Sequence, residues 1–181
     1  MRVRSNNGFT LIELLIVVAI IGIIAAIAVP GLLRARMSGN EASAIGSLRA
    51  INSAQINYQT NCAAGTGYAP TLVDLGTPPL AANGGGQPFI SPDLGLAVPI
   101  VKAGYSIDFT SNNAIAAAAV CNNAALAVIG NYLATAAPVS AGTSGTRFFG
   151  TSEAQTVFQH TAAITAISGS GVPAPGGTPI K

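Results

Sequence analysis

Catalysis and metal binding need nucleophiles, bases or ligands within reach of one another, and this chain of 181 residues carries few of them. His160 is the sole histidine, which excludes a clustered-histidine metal site, and without a spaced partner it reads as an ordinary strand-end residue. Nothing places a serine on a nucleophile turn, so no catalytic residue is assigned and the chain reads as a non-enzyme. Gly84-Gly85-Gly86 lacks the following Lys-Ser/Thr of a phosphate loop and reads as a flexible linker. No cofactor and no metal site are expected. Cys62 and Cys121 are the two cysteines, and in an exported chain such a pair is free to form a disulfide. Closing a loop of that length contributes about 4 kcal/mol in the chain-entropy picture. One carboxylate demands an explanation: Glu13 lies just inside an otherwise apolar run, where an uncompensated charge costs roughly 2.5 to 3.5 kcal/mol.

The element that positions Glu13 runs from Leu11 to Val29, where every other residue is apolar or glycine. About 20 helical residues rising 1.5 Å each span the hydrocarbon of a bilayer, so this segment enters a membrane. Its flanks leave three fates open. A signal anchor would keep the basic start, Met1 to Arg4, in the cytoplasm. A secretory signal would be cut at the small-residue pattern Ala26-Ile27-Ala28. A third fate retains the helix and gives Glu13 a task. Composition agrees with a membrane-entering element, since half of the residues are hydrophobic and 8% are charged, against roughly 25% in an ordinary soluble domain. The formal charge of +2 rests on Arg2 and Arg4, without which the side chains balance to zero. The remaining basic residues are scattered, and no specific nucleic-acid partner is expected.

The string from Gly8-Phe9-Thr10-Leu11-Ile12-Glu13 through Gly22 to Val29-Pro30 resembles the N-terminus of type IVa pilins and type II secretion pseudopilins. The resemblance implies an α+β pilin-like fold, with a long N-terminal helix packed on a small antiparallel β-sheet head. It implies that a prepilin peptidase cuts between Gly8 and Phe9 and methylates the new Phe9 amine. Glu13 of an incoming subunit would then meet the Phe9 amine of a neighbour, an attraction that is strong in a lipid-like core. Gly22 and Pro30 bracket the stretch that pilin filaments unwind. Pro30 removes a backbone donor and crowds the carbonyl of Ala26, and a simple kink is the alternative reading. The implied partners are further copies in a helical homopolymer, the inner-membrane pilus assembly machinery, and membrane lipid before assembly. The implied location is the bacterial inner membrane for the precursor and the cell surface for the assembled pilus. Motility, adhesion and DNA uptake would be downstream roles. Two alternatives stand beside the major pilin: a secretion pseudopilin and a membrane-anchored binding protein that never polymerises. Against the pseudopilin, Glu153 is the sole acidic residue after Asp108, whereas major pseudopilins carry an acidic calcium site near the C-terminus. Against the plain anchor stands Glu13, a charge that an isolated anchor does not need.

The rest of the chain divides by composition. Residues 1–8 form the leader and 9–30 the membrane-embedded half of the helix. In 31–60, Ile45, Leu48, Ile51, Ala54 and Tyr58 recur at helical spacing, so one face would lie on a head and the polar face would meet neighbouring subunits. Residues 61–103 are rich in Gly and Pro and read as a connecting loop, with a short helix at Thr71 to Gly76 capped by Thr71 and stopped by Gly76. The sheet is expected in 104–167 as three or four antiparallel strands. The signals are the alternation of Tyr105, Ile107 and Phe109, the run Leu126 to Thr135, and a hairpin around Ser152 to Gln155. Ala114 to Val120 fits strand, helix or loop. Residues 168–181 read as a flexible tail or an extended strap. A Cys62–Cys121 bridge departs from the common pilin pattern, in which the disulfide lies nearer the C-terminus.

Overall fold

A computed structural model describes residues 8–167, 173–174 and 177–180. The leader residues 1–7 and most of the segment read as a tail lie outside the described residues. The chain divides into two units, Met1–Arg36 and Met37–Lys181.

A single helix, α1, runs over Leu11–Asn61 and includes Pro30 without a break. In the first unit none of the described residues of this helix is buried, and Leu11, Ile23 and Ile27 are 81%, 65% and 77% exposed. From Met37 onward α1 becomes amphipathic. Ala44, Leu48, Ile51, Ala54 and Tyr58 are buried, with Ile45 partly buried beside them.

The second unit is α+β. A short helix α2 (Leu72–Gly76) and a 3-10 turn (Ala81–Asn83) precede the strands. These are β1 (Ile100–Lys102), β2 (Tyr105–Val120), β3 (Asn123–Pro138), β4 (Phe148–Ser152), β5 (Phe158–His160), β6 (Ala166–Ile167), β7 (Pro173–Ala174) and β8 (Thr178–Pro179). Six of them form one sheet in the order β1-β2-β3-β4-β5-β8, with antiparallel neighbours, while β6 and β7 pair separately. The sheet is larger than the expected three or four strands because β1 and β8 are three and two residues long, too short to show a periodicity. β1 lies inside the segment read as connecting loop, and β8 inside the segment read as tail.

The pleat decides what faces the helix. Tyr105, Ile107 and Phe109 alternate inward on β2 and meet Tyr132, Ala134 and Ala136 of β3 and Phe149 of β4, all buried. Phe109 stacks on Tyr132 with ring centroids 5.6 Å apart, and Tyr58 meets Phe89 edge-on at 5.4 Å. The ambiguous Ala114 to Val120 run belongs to β2, where pairs such as Ala117 with Ala127 hold it extended. Thr71 caps α2 by accepting the Asp74 N–H at 3.1 Å. Gly76 does not serve as the stop beyond that helix; it belongs to α2, and Thr77 is the C-cap. A glycine is needed there for another reason, since a Cβ would come within 2.9 Å of the Gly95 backbone.

Candidate assembly site

Thr10 precedes the first residue of α1, and Glu13 is the third helical residue, the spacing of a capping box. The Glu13 N–H donates to Thr10 Oγ1 at 3.3 Å, and the Thr10 N–H donates to Glu13 Oε2 at 3.0 Å. The Thr10 hydroxyl donates to the same carboxylate oxygen. Two helix-start donors are thereby satisfied, which matters in lipid because no water can replace them. Glu13 is therefore compensated within its own chain before any partner arrives. The pattern Thr10-x-x-Glu13 is local, and the sequence itself carries this signal of compensation.

Gly8 and Phe9 precede this cap and are solvent-exposed, Phe9 at 85%. In the uncut chain the Phe9 nitrogen is an amide, so no cationic amine stands beside Glu13. Gly22 is open on all sides, and a Cβ there would meet nothing within 4 Å. Pro30 sits within continuous helix. Gly8, Phe9 and Glu13 thus lie together at one end of the apolar helix, with Gly22 and Pro30 further along it.

The second unit holds polar contacts that periodicity did not reveal. Glu41 is buried, and its carboxylate accepts from Arg147 Nε at 2.9 Å and Nη2 at 2.6 Å and from the Thr146 N–H at 3.0 Å. Burial opposes its charge, but these bonds, led by Arg147, prevail and hold the carboxyl below its ordinary value. Asn52 donates to Thr151 Oγ1 at 2.8 Å and to the Gln155 carbonyl at 3.1 Å, and it accepts from the Tyr132 hydroxyl at 3.0 Å. Gln55 exchanges two bonds with the Ala69 backbone, at 3.0 and 2.9 Å, as a neighbouring strand would. Glu41, Asn52 and Gln55 therefore belong to the face that α1 buries, not to the polar face expected to meet neighbouring subunits. Cys62 and Cys121 are joined by a disulfide with S–S 1.98 Å and Cα–Cα 4.7 Å, linking the end of α1 to the β2–β3 turn. His160 ends β5, and its Nδ1 accepts the Ala162 N–H at 2.9 Å.

The sequence that builds this helix start is similar to known proteins. The prokaryotic N-terminal methylation motif matches residues 3–29. The chain is 41% identical over 80 residues to the type IV wide pilus major component PilA4 of Thermus thermophilus, covering 44% of this chain and 61% of that one. It is 49% identical over 53 residues to the type IV major pilin protein PilA of Myxococcus xanthus, covering 29% of this chain and 24% of the relative. Over part of its length the chain is thus similar to type IV pilins and carries their N-terminal methylation motif. The matched portions span less than two thirds of these pilin relatives' lengths. No solved structure matches the chain. Its α+β architecture, a long helix with a six-stranded antiparallel sheet, is consistent with the pilin fold.

Proposed function

We propose that this chain is the structural subunit of a type IV pilus, a major pilin that polymerises into the shaft. The observation that carries the reading is the apolar half of α1, in whose most apolar 18-residue window no residue is buried among the described residues. Such a surface needs lipid before assembly and other copies of the same helix afterwards. Both relatives named above are major pilus components, which favours a shaft position.

In this reading residues 1–8 are the leader, and the prepilin peptidase cuts between Gly8 and Phe9 and methylates Phe9. The new amine changes the partners open to Glu13. A carboxylate that satisfied its own helix start can pair with the Phe9 amine of a neighbouring subunit and so fix the axial register. Gly22 to Pro30 is the stretch that unwinds on incorporation, where Pro30 lacks an N–H and Gly22 has no side chain to lose. The precursor resides in the bacterial inner membrane, where the assembly machinery takes it up, and the assembled fibre lies outside the cell. Motility, adhesion and DNA uptake are downstream roles of such a fibre.

Two measurements on one preparation test this. Sheared surface filaments should consist mainly of this chain, and mass spectrometry should find N-methyl-Phe9 as the first residue. A mature chain that starts at Met1 or Val29, or one absent from filaments, would refute the proposal.

A further inference from the structure

Arg147, the partner of Glu41, lines a cleft of about 360 Å³ together with Gln159, His160, Thr161 and Thr178. That volume lies at the low end of the range for small-molecule sites. The strand register builds it. Gln159 is paired with Phe149 on one side and with Thr178 on the other, and Arg147 stands two residues before Phe149. Gln159 and Thr178 therefore share one face of β5 and β8, and Arg147, just before β4, joins them through its bond to Gln159. His160 and Thr161 border them at the end of β5.

The guanidinium of Arg147 is held rigid. Its Nε and Nη2 donate to Glu41, its Nη1 donates to Gln159 Oε1 at 2.5 Å, and it lies 5.5 Å from the centroid of the Phe149 ring. The Tyr105 hydroxyl fixes the Arg147 carbonyl at 2.9 Å. An arginine donates five hydrogen bonds and these contacts use three, which leaves two directed N–H groups on a side chain that is 43% exposed. Gln159 Oε1 is taken by Arg147, and among the described residues the side-chain amide N–H groups of Gln159 have no partner. The His160 imidazole is held by Ala162, whose N–H lies 2.9 Å from Nδ1, and it lines the cleft with a ring nitrogen to offer. Thr161 and Thr178 add hydroxyls. Glu41, at 9% side-chain exposure, directs its charge inward. The cleft thus presents donors in excess and few acceptors.

We infer that this cleft binds a small hydroxylated carboxylate, of the class of a uronic acid. The carboxylate would take the free N–H groups of Arg147 and Gln159, while the ligand's hydroxyls would take His160 and the threonines. Nothing in this inference depends on polymerisation, so it is tested on the unassembled chain. Full-length protein in detergent is titrated with galacturonate, glucose and acetate, and binding is followed by calorimetry. Galacturonate should bind saturably with a Kd of about 1 mM. Glucose and acetate should each bind roughly tenfold more weakly, since each lacks one half of the recognised chemistry. Gln159→Leu and Thr178→Val should each weaken galacturonate binding roughly tenfold, with the melting temperature measured alongside to show that the head stays folded. Failure to saturate, glucose binding as tightly as galacturonate, or wild-type affinity in both folded variants would overturn the inference. Acetate binding as tightly as galacturonate would also overturn it, in favour of an acidic side chain from another protein chain.

Discussion

The two halves of α1 are one helix to the backbone and two different objects to their surroundings. From Leu14 to Leu33 the helix is apolar or glycine throughout and none of its residues is buried among the described residues, whereas after Met37 one face is buried under a sheet and stapled by Glu41, Asn52 and Gln55. An apolar helix with no partner of its own chain depends on its environment for stability, so its sequence encodes association. An amphipathic helix with long-range hydrogen bonds is held by its own chain, so its sequence encodes a fold. Substitutions in the two halves should therefore fail in different assays.

Glu13→Ala gives the largest expected contrast. Filament growth should be abolished while the precursor still reaches the membrane and the melting temperature of the head stays unchanged. Normal filaments counted by electron microscopy would break the distinction. Replacing Cys62 and Cys121 with serine should cost up to about 4 kcal/mol of head stability through the longer unfolded loop, measured by denaturant unfolding. Ile51→Ala, fully buried against the sheet, should cost about 3 kcal/mol in the same measurement. Arg147→Met should cost about 2 kcal/mol at neutral pH, because Glu41 loses its strongest partner while remaining mostly buried. This pair also has a pH signature. The folded state holds the Glu41 carboxyl below its ordinary value, so its contribution is full above about pH 4.3, the unfolded value, and fades as pH falls below it. Acid unfolding of Arg147→Met should lose that part of its pH dependence. The smallest effect is expected for Thr71→Ala, about 1 kcal/mol from the lost cap on α2, read as a shift in the unfolding midpoint.

Much of this division is legible in the sequence, and the rest is hidden for definite physical reasons. The apolar half of α1 needs only composition, and the inward alternation of Tyr105, Ile107 and Phe109 needs only a period of two. Asn52 and Gln55 read as part of the polar face that meets neighbouring subunits, because polar residues on an amphipathic helix normally lie away from the core. Their partners, Thr151 and Ala69, lie 99 and 14 residues away, and nothing local announces them. The same holds for Glu41 and Arg147, 106 residues apart. The alanine run of β2 has no side-chain pattern to read, and its extended state follows from pairing with β3. β1 and β8 carry too few residues to signal anything. Thr10 and Glu13 are the opposite case, a local pattern present in the letters and obscured by attention to the charge alone.

The disulfide has a mechanical consequence. Cys62 follows the last residue of α1, and Cys121 sits at the turn between the two longest strands, 59 residues further on. A pull along the helix that reaches its C-terminal end is handed to the β2–β3 hairpin through a covalent bond. The intervening Gly- and Pro-rich segment is bypassed, so it bears little of the load and can vary in shape or sequence without weakening the connection between rod and head.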